Sequence, residues 1–149
     1  TVAIVIGIVF SLVIFVAKIS NIQVTTSEVN PEKLADGSKI NDKIKNTSVI
    51  YVTGPLYFGT TGKLQEKIDE LEDKEIYIFS LRGVPLADIS GVQALDDLVA
   101  RLHENNKTVY FTAVQPNVME IFSRSGFSSR VGSDNFYWST DRILTELGD

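Results

Sequence analysis

The sequence predicts an α/β domain with a largely parallel, mixed sheet and about four helices, preceded by an apolar N-terminal helix. Two observations predict the domain. Short apolar runs rich in β-branched and aromatic residues, at 48–53 (SVIYVT), 75–81 (EIYIFSL) and 107–114 (KTVYFTAV), suit buried strands. Between them lie segments whose apolar residues recur at helical spacing, and strict strand–helix alternation implies parallel pairing through right-handed crossovers. A third observation predicts the leading helix: the first charged residue of the chain is Lys18, so residues 1–17 form a head without charge.

The head, TVAIVIGIVFSLVIFVA, is broken only by Gly7 and Ser11. As a helix it would rise roughly 26 Å, just short of the ~30 Å hydrocarbon core of a bilayer. The chain starts at Thr1 without an initiator Met. Residues 1–19 are therefore expected to be the end of a transmembrane helix. A secretory signal fits less well, because there is no basic n-region and no small-x-small cleavage site. Ala3, Gly7 and Ser11 fall on one helical face and would let a neighbouring helix approach closely, although small residues also occur there by chance. Lys18 at the end of the run places the body on the cytoplasmic side. The alternative is an apolar helix buried against a partner chain.

Residues 20–47 read as a first strand followed by a polar connector. The strand is the near-alternating 22–29 (IQVTTSEV), and the connector carries Pro31 and the turn pair Asp36-Gly37. The main body is 48–149. After the strand at 48–53 and the Gly54-Pro55 break, Leu64, Ile68 and Leu71 give one apolar stripe of a helix that Thr60 or Thr61 can cap. Val92, Leu95, Leu98, Val99 and Leu102 are the inner stripe of a second helix ending near Asn105-Asn106. Pro116 begins a third, with Val118, Ile121 and Phe122 inward and Gly126 as its left-handed terminator. A brief strand at 136–138 and a helix at 141–147, capped by Ser139 or Thr140, complete the chain.

Composition excludes several function classes. With 149 residues the chain makes one domain with appendages. A net charge of -5 and no Lys/Arg-dense run argue against nucleic acid as a partner. There is no cysteine, which removes disulfides, thiol nucleophiles and Cys-ligated metals. His103, the only histidine, stands beside Glu104 at a helix end without a cluster of ligands. Glu70/Glu72 and Asp96/Asp97 read as solvated helix faces. The stretch 54–63 (GPLYFGTTGK) resembles a phosphate loop superficially, but it lacks the required Gly spacing and has Leu64 where a hydroxyl belongs. No catalytic residue, metal site or cofactor is expected.

The segment 86–95 (LADISGVQAL) holds the most chemistry. It puts Asp88 and Ser90 in the loop between a strand and a helix start, at the carboxyl edge of a parallel sheet, where such folds bind ligands and partners. Ser90 with Gln93 three residues on has the pattern of a capping box, which would make the serine an ordinary N-cap. A phosphoryl group on the same serine would add about -1.5 to -2 charge near helix amides and beside Asp88. Arg82, at the end of the preceding strand, could meet an anion or pair with Asp88. Tyr57, Phe58, Phe127 and Trp138 are candidates for an exposed patch or for the core.

These residues resemble a STAS domain, the module shared by sulfate transporters and anti-sigma-factor antagonists. Its D-x-S-G loop matches Asp88-Ile89-Ser90-Gly91. The turn 54–59 (GPLYFG), Leu95 after the loop, and the preceding apolar helix are similar to the SulP branch. The resemblance implies a non-enzymatic cytoplasmic domain that follows the last membrane helix of a sulfate, bicarbonate or similar anion transporter, with a role in assembly, trafficking or regulation. It implies the transporter's own transmembrane domain as partner, lipid around residues 1–17, a homodimeric transporter, and a possible regulatory protein or nucleotide. It also implies Ser90 as the phosphorylated serine, while Ile89 departs from the second Ser or Thr usual in antagonists. The rival readings are a soluble phospho-switch that binds an anti-sigma factor or kinase, and a nucleotide or small-ligand sensor using Arg82.

Overall fold

The computed structural model describes residues 1–20, 25–29 and 42–148. Helix α1, Val2–Ser20, is the apolar head. Its large apolar side chains are exposed from Val2 to Val16. Among the described residues, no helix is long and apolar enough to cross a membrane by itself.

The body follows the predicted alternation. Strand β1, Thr25–Val29, is the described part of the first predicted strand; residues 22–24 and connector residues 30–41 lie outside the described set. The end of the connector is not irregular, because Asp42–Lys45 forms a short helix, α2, that buries Ile44. Then come β2 (Thr47–Thr53), α3 (Phe58–Glu70), β3 (Ile76–Gly83) and α4 (Ile89–Glu104). The chain ends with β4 (Thr108–Thr112), α5 (Pro116–Arg124), α6 (Phe127–Val131), a 3-10 turn (Ser133–Asn135), β5 (Phe136–Tyr137) and α7 (Thr140–Gly148). Helix α6 and the 3-10 turn were not predicted.

The five strands pair in sequence order, β1-β2-β3-β4-β5. Strand β1 is antiparallel to β2, and every later pair is parallel. A sheet that grows in one direction through right-handed crossovers puts the connecting helices on one face. Here that face carries the larger core, with Ile50, Tyr77, Phe79, Val109 and Phe111 under Leu64 of α3, Leu95 and Leu98 of α4, Phe122 of α5 and Phe127 of α6. The register aligns Ile50, Phe79, Phe111 and Phe136 in one row across the strands. Phe111 stacks on Phe79 at 5.6 Å and on Phe136 at 5.5 Å, and meets Phe127 edge-on at 5.6 Å.

The opposite face is covered by α7, whose Ile143 and Leu144 pack on Val49 and Ile78. Thr140, one of the two residues expected to cap α7, lies inside the helix, and its hydroxyl bonds that of Thr112 at 3.1 Å. Burial of this polar pair is tolerated because each group satisfies the other. At the rim, the Tyr137 hydroxyl donates to Glu146 Oε2 at 2.8 Å. That hydrogen bond, followed by burial and the nearby negative charge, pushes the phenol up to about 12.

Helix ends show where side chains were misassigned. Neither Thr60 nor Thr61 is the N-cap of α3, which begins at Phe58 after Tyr57. The Thr60 hydroxyl instead accepts from the Tyr57 N–H at 3.1 Å and donates to the Pro55 carbonyl at 2.7 Å. Gly126 terminates α5 at φ 79, as expected, with Pro116 at the helix start.

Candidate functional site

The carboxyl edge of the parallel strands is formed by four loops, which follow β2, β3, β4 and β5. The loop after β3 is stitched to the loop after β2. Leu56 and Ala87 form an isolated parallel bridge, the Leu56 N–H donates to the Leu86 carbonyl at 2.9 Å, and the Asp88 N–H donates to the Leu56 carbonyl at 3.0 Å. These bonds hold Asp88 extended, at φ -109 and ψ 170, directly before α4.

Asp88 is therefore the N-cap, and the expected Ser90/Gln93 capping box does not form. Oδ1 of Asp88 accepts the Gly91 N–H at 2.7 Å and the Ser90 hydroxyl at 2.8 Å. Ser90 lies inside the first turn with its hydroxyl turned back on the carboxylate. The physical reason is tertiary: the Leu56 carbonyl draws the Asp88 amide into an extended conformation, so the helix can start only after Asp88. Asp88, Ile89 and Ser90 are exposed, while Gly91 is buried.

Gly91 has a steric role that spacing alone did not reveal. A Cβ built on it would lie 2.4 Å from the Leu56 carbonyl oxygen and 2.7 Å from Tyr57 Cα. The glycine is thus the point where α4 crosses the backbone of the neighbouring loop. The serine precedes a residue that can be nothing larger than glycine, and this contact sets the position of the serine.

Two amides that the sequence did not single out tie the next loop into the same edge. Gln115 Nε2 donates to the Arg82 carbonyl at 3.0 Å, and Asn117 Nδ2 donates to the Pro85 carbonyl at 2.6 Å. The Arg82 side chain is exposed, and among the described residues it enters no ion pair within 4 Å. Asp88 is engaged by Ser90 and Gly91 instead. Asp96 pairs with Arg130 at 2.7 Å, tying α4 to α6, and Glu72 pairs with Lys74 at 3.5 Å. Of the four aromatics considered for a patch, Phe127 is core and Tyr57 half-buried, while Phe58 and Trp138 are exposed.

The arrangement leaves Ser90 exposed in the first turn of α4, with its hydroxyl donating to the Asp88 carboxylate. Among the described residues, no group of three or more His, Cys, Asp or Glu could hold a metal ion. His103 is exposed at the end of α4, on the far side of the domain from Ser90.

Comparison with known proteins finds the same module. The STAS domain family model matches residues 39–142. A Schizosaccharomyces pombe protein named "Probable sulfate permease C320.05" is 22% identical over 102 residues, covering 56% of this chain and 15% of that protein. The chain thus spans a small part of that relative. The STAS domain of a SulP transporter from Vibrio cholerae superposes with a TM-score of 0.57 at 24% identity, over 64% of this chain and 76% of that one. Murine Slc26a9, an anion transporter solved in the inward-facing state, matches with a TM-score of 0.68 at 17% identity, over 96% of this chain and 25% of that one. An anti-sigma factor antagonist from Mycobacterium paratuberculosis gives 0.58 at 16% identity, over 84% and 96%. At these identities the superpositions speak for the fold.

Proposed function

The chain belongs to the STAS domain family, and from that premise we propose that it is the non-catalytic cytoplasmic domain of a SulP-type secondary anion transporter, carrying sulfate, bicarbonate or a similar anion. In this reading α1 is the cytoplasmic end of the transporter's last membrane helix, and the Asp88–Gly91 loop is the regulatory contact. The observation that carries it is α1 itself: a helix with exposed apolar side chains on all sides, joined to a STAS body. A helix apolar all round has no stable place in water, and lipid or neighbouring membrane helices would cover it. The 96% coverage by the murine transporter, which reaches into α1, supports the reading.

The loop would work as a switch at Ser90. A phosphoryl group there removes the hydroxyl proton now given to Asp88 and sets about -1.5 to -2 charge against that carboxylate. Asp88 would then be driven from its capping position, and the first turn of α4 would rearrange. The same geometry favours a second reading, a phospho-switch of the antagonist kind, since the structure is similar to an antagonist over most of both chains.

Cell fractionation separates the two. The expressed chain is expected to sediment with membranes through the exposed apolar side chains of α1. Val9→Lys with Leu12→Lys should release most of it, because a charge at mid-helix costs about 2.5–3.5 kcal/mol on insertion scales. A wild-type chain that stays in the soluble fraction would remove α1 as an independent anchor and favour the antagonist reading.

A further inference from the structure

Outside α1, the exposed large apolar side chains among the described residues are Phe58, Leu86, Ile89 and Trp138, with exposures of 73%, 54%, 56% and 83%. All four lie at one edge of the molecule. Phe58 opens the helix after β2, Leu86 and Ile89 flank the loop after β3, and Trp138 follows β5. The Leu56–Leu86, Asn117–Pro85 and Ala113–Tyr137 bonds link the segments that follow β2, β3, β4 and β5 along this edge. Scattered exposed apolar residues need no explanation, but their confinement to one edge does.

The same edge receives the chain from α1. Thr25, the first residue of β1, pairs with Thr53, the last residue of β2, so β1 enters the sheet at the carboxyl end of the parallel strands. Between Ser20 and Thr25 the backbone can reach at most roughly 18 Å. An α1 held in a bilayer therefore keeps this edge, and not the opposite one, near the membrane surface.

We propose that the edge bearing Phe58, Leu86, Ile89 and Trp138 lies against the lipid headgroup region, with the aromatic rings at the interface. This rests on the reading of α1 as a membrane anchor. Trp and other amphipathic rings favour that layer. The net charge of -5 argues for insertion into a neutral lipid interface over attraction to anionic lipid. Ile89 and Ser90 are adjacent, so a phosphate on Ser90 would bring charge to the apposed surface and oppose its insertion.

Trp138 is the only tryptophan and reports on this directly. The whole chain is reconstituted with phosphatidylcholine vesicles, floated on a density gradient, and its fluorescence quenched either by bromine-labelled phosphatidylcholine or by iodide in the water phase. The expected result is flotation, a blue-shifted emission, and at least twofold quenching by the brominated lipid with little by iodide. A variant with Phe58→Ser and Ile89→Ser should still float but show at least twofold less lipid quenching. Flotation with Trp138 open to iodide overturns the apposition and leaves the anchor standing. Protection from both quenchers means that a second copy covers the edge, and also overturns it. A chain that does not float removes the anchor and the apposition together.

Discussion

Phe111→Ala is expected to lower the unfolding free energy by about 3–5 kcal/mol, the range for an aromatic side chain deleted from a packed core. Phe111 is fully buried and sits at the centre of the aromatic row, touching Phe79, Phe122, Phe127 and Phe136. Its neighbours come from β3, α5, α6 and β5, so the hole would be walled by four elements that cannot all move inward. Collapse is limited when a cavity is bounded by a sheet on one side and a short helix pinned by an ion pair on another. Helix α6 is such an element, because Arg130 is held by Asp96. Urea titration of the purified chain in detergent should show a lower midpoint with an unchanged slope. A midpoint within experimental error of wild type would mean that the row is not the core.

Gly91→Ala is the second large effect, and it acts by addition where Phe111→Ala acts by removal. The new methyl would lie 2.4 Å from the Leu56 carbonyl oxygen and 2.7 Å from two further backbone atoms. Backbone cannot rotate away as a flexible side chain can, so α4 and the Leu56–Tyr57 segment must separate. Overpacking of this kind costs about 1–3 kcal/mol, occasionally more. The damage should be local as well as global. The Asp88 amide loses its Leu56 acceptor and the Gly91 amide loses the Asp88 carboxylate. Hydrogen exchange at Leu56, Asp88 and Gly91 should therefore accelerate more than at Phe79 or Val109. Uniform acceleration would indicate simple loss of stability, with no special contact at Gly91.

Much of this fold was legible because the strands and helices carry their own periodicity. The runs at 48–53, 75–81 and 107–114 became β2, β3 and β4 within a residue or two, and the stripes of Leu64, Leu95 and Val118 face the core as their spacing required. Helix α6 was not legible, since five residues span too little to show a period, and its inward residues are only Phe127 and Val131. The cap of α4 was read two residues late. Asp88 and Ser90 are both good capping types, and the choice between them was made by the Leu56 carbonyl, a residue more than thirty positions earlier.

The candidate site was half visible for the same reason. The order of residue types singles out Asp88, Ser90 and Gly91 as candidates, whereas the closeness of Gly91 to Leu56 is a tertiary fact with no local signature. Gln115 and Asn117 were overlooked because amides in a loop carry no pattern, although they bind the Arg82 and Pro85 carbonyls. Aromatic content alone did not separate buried Phe127 from exposed Phe58 and Trp138. Burial is decided by what each element packs on, and Phe58 and Trp138 stand outside both core clusters.

The proposed regulation through the Asp88–Gly91 loop is tested most directly by anion uptake into proteoliposomes that carry the natural full-length protein, comparing Ser90→Asp with Ser90→Ala at equal protein content. Sulfate and bicarbonate are the probes. The aspartate sets a charge against Asp88, whereas the alanine leaves the Gly91 N–H on the Asp88 carboxylate, so uptake should change several-fold with Ser90→Asp and stay near wild type with Ser90→Ala. Equal uptake by both variants would contradict a switch at Ser90, and the absence of any anion uptake by the natural protein would contradict the transporter assignment itself.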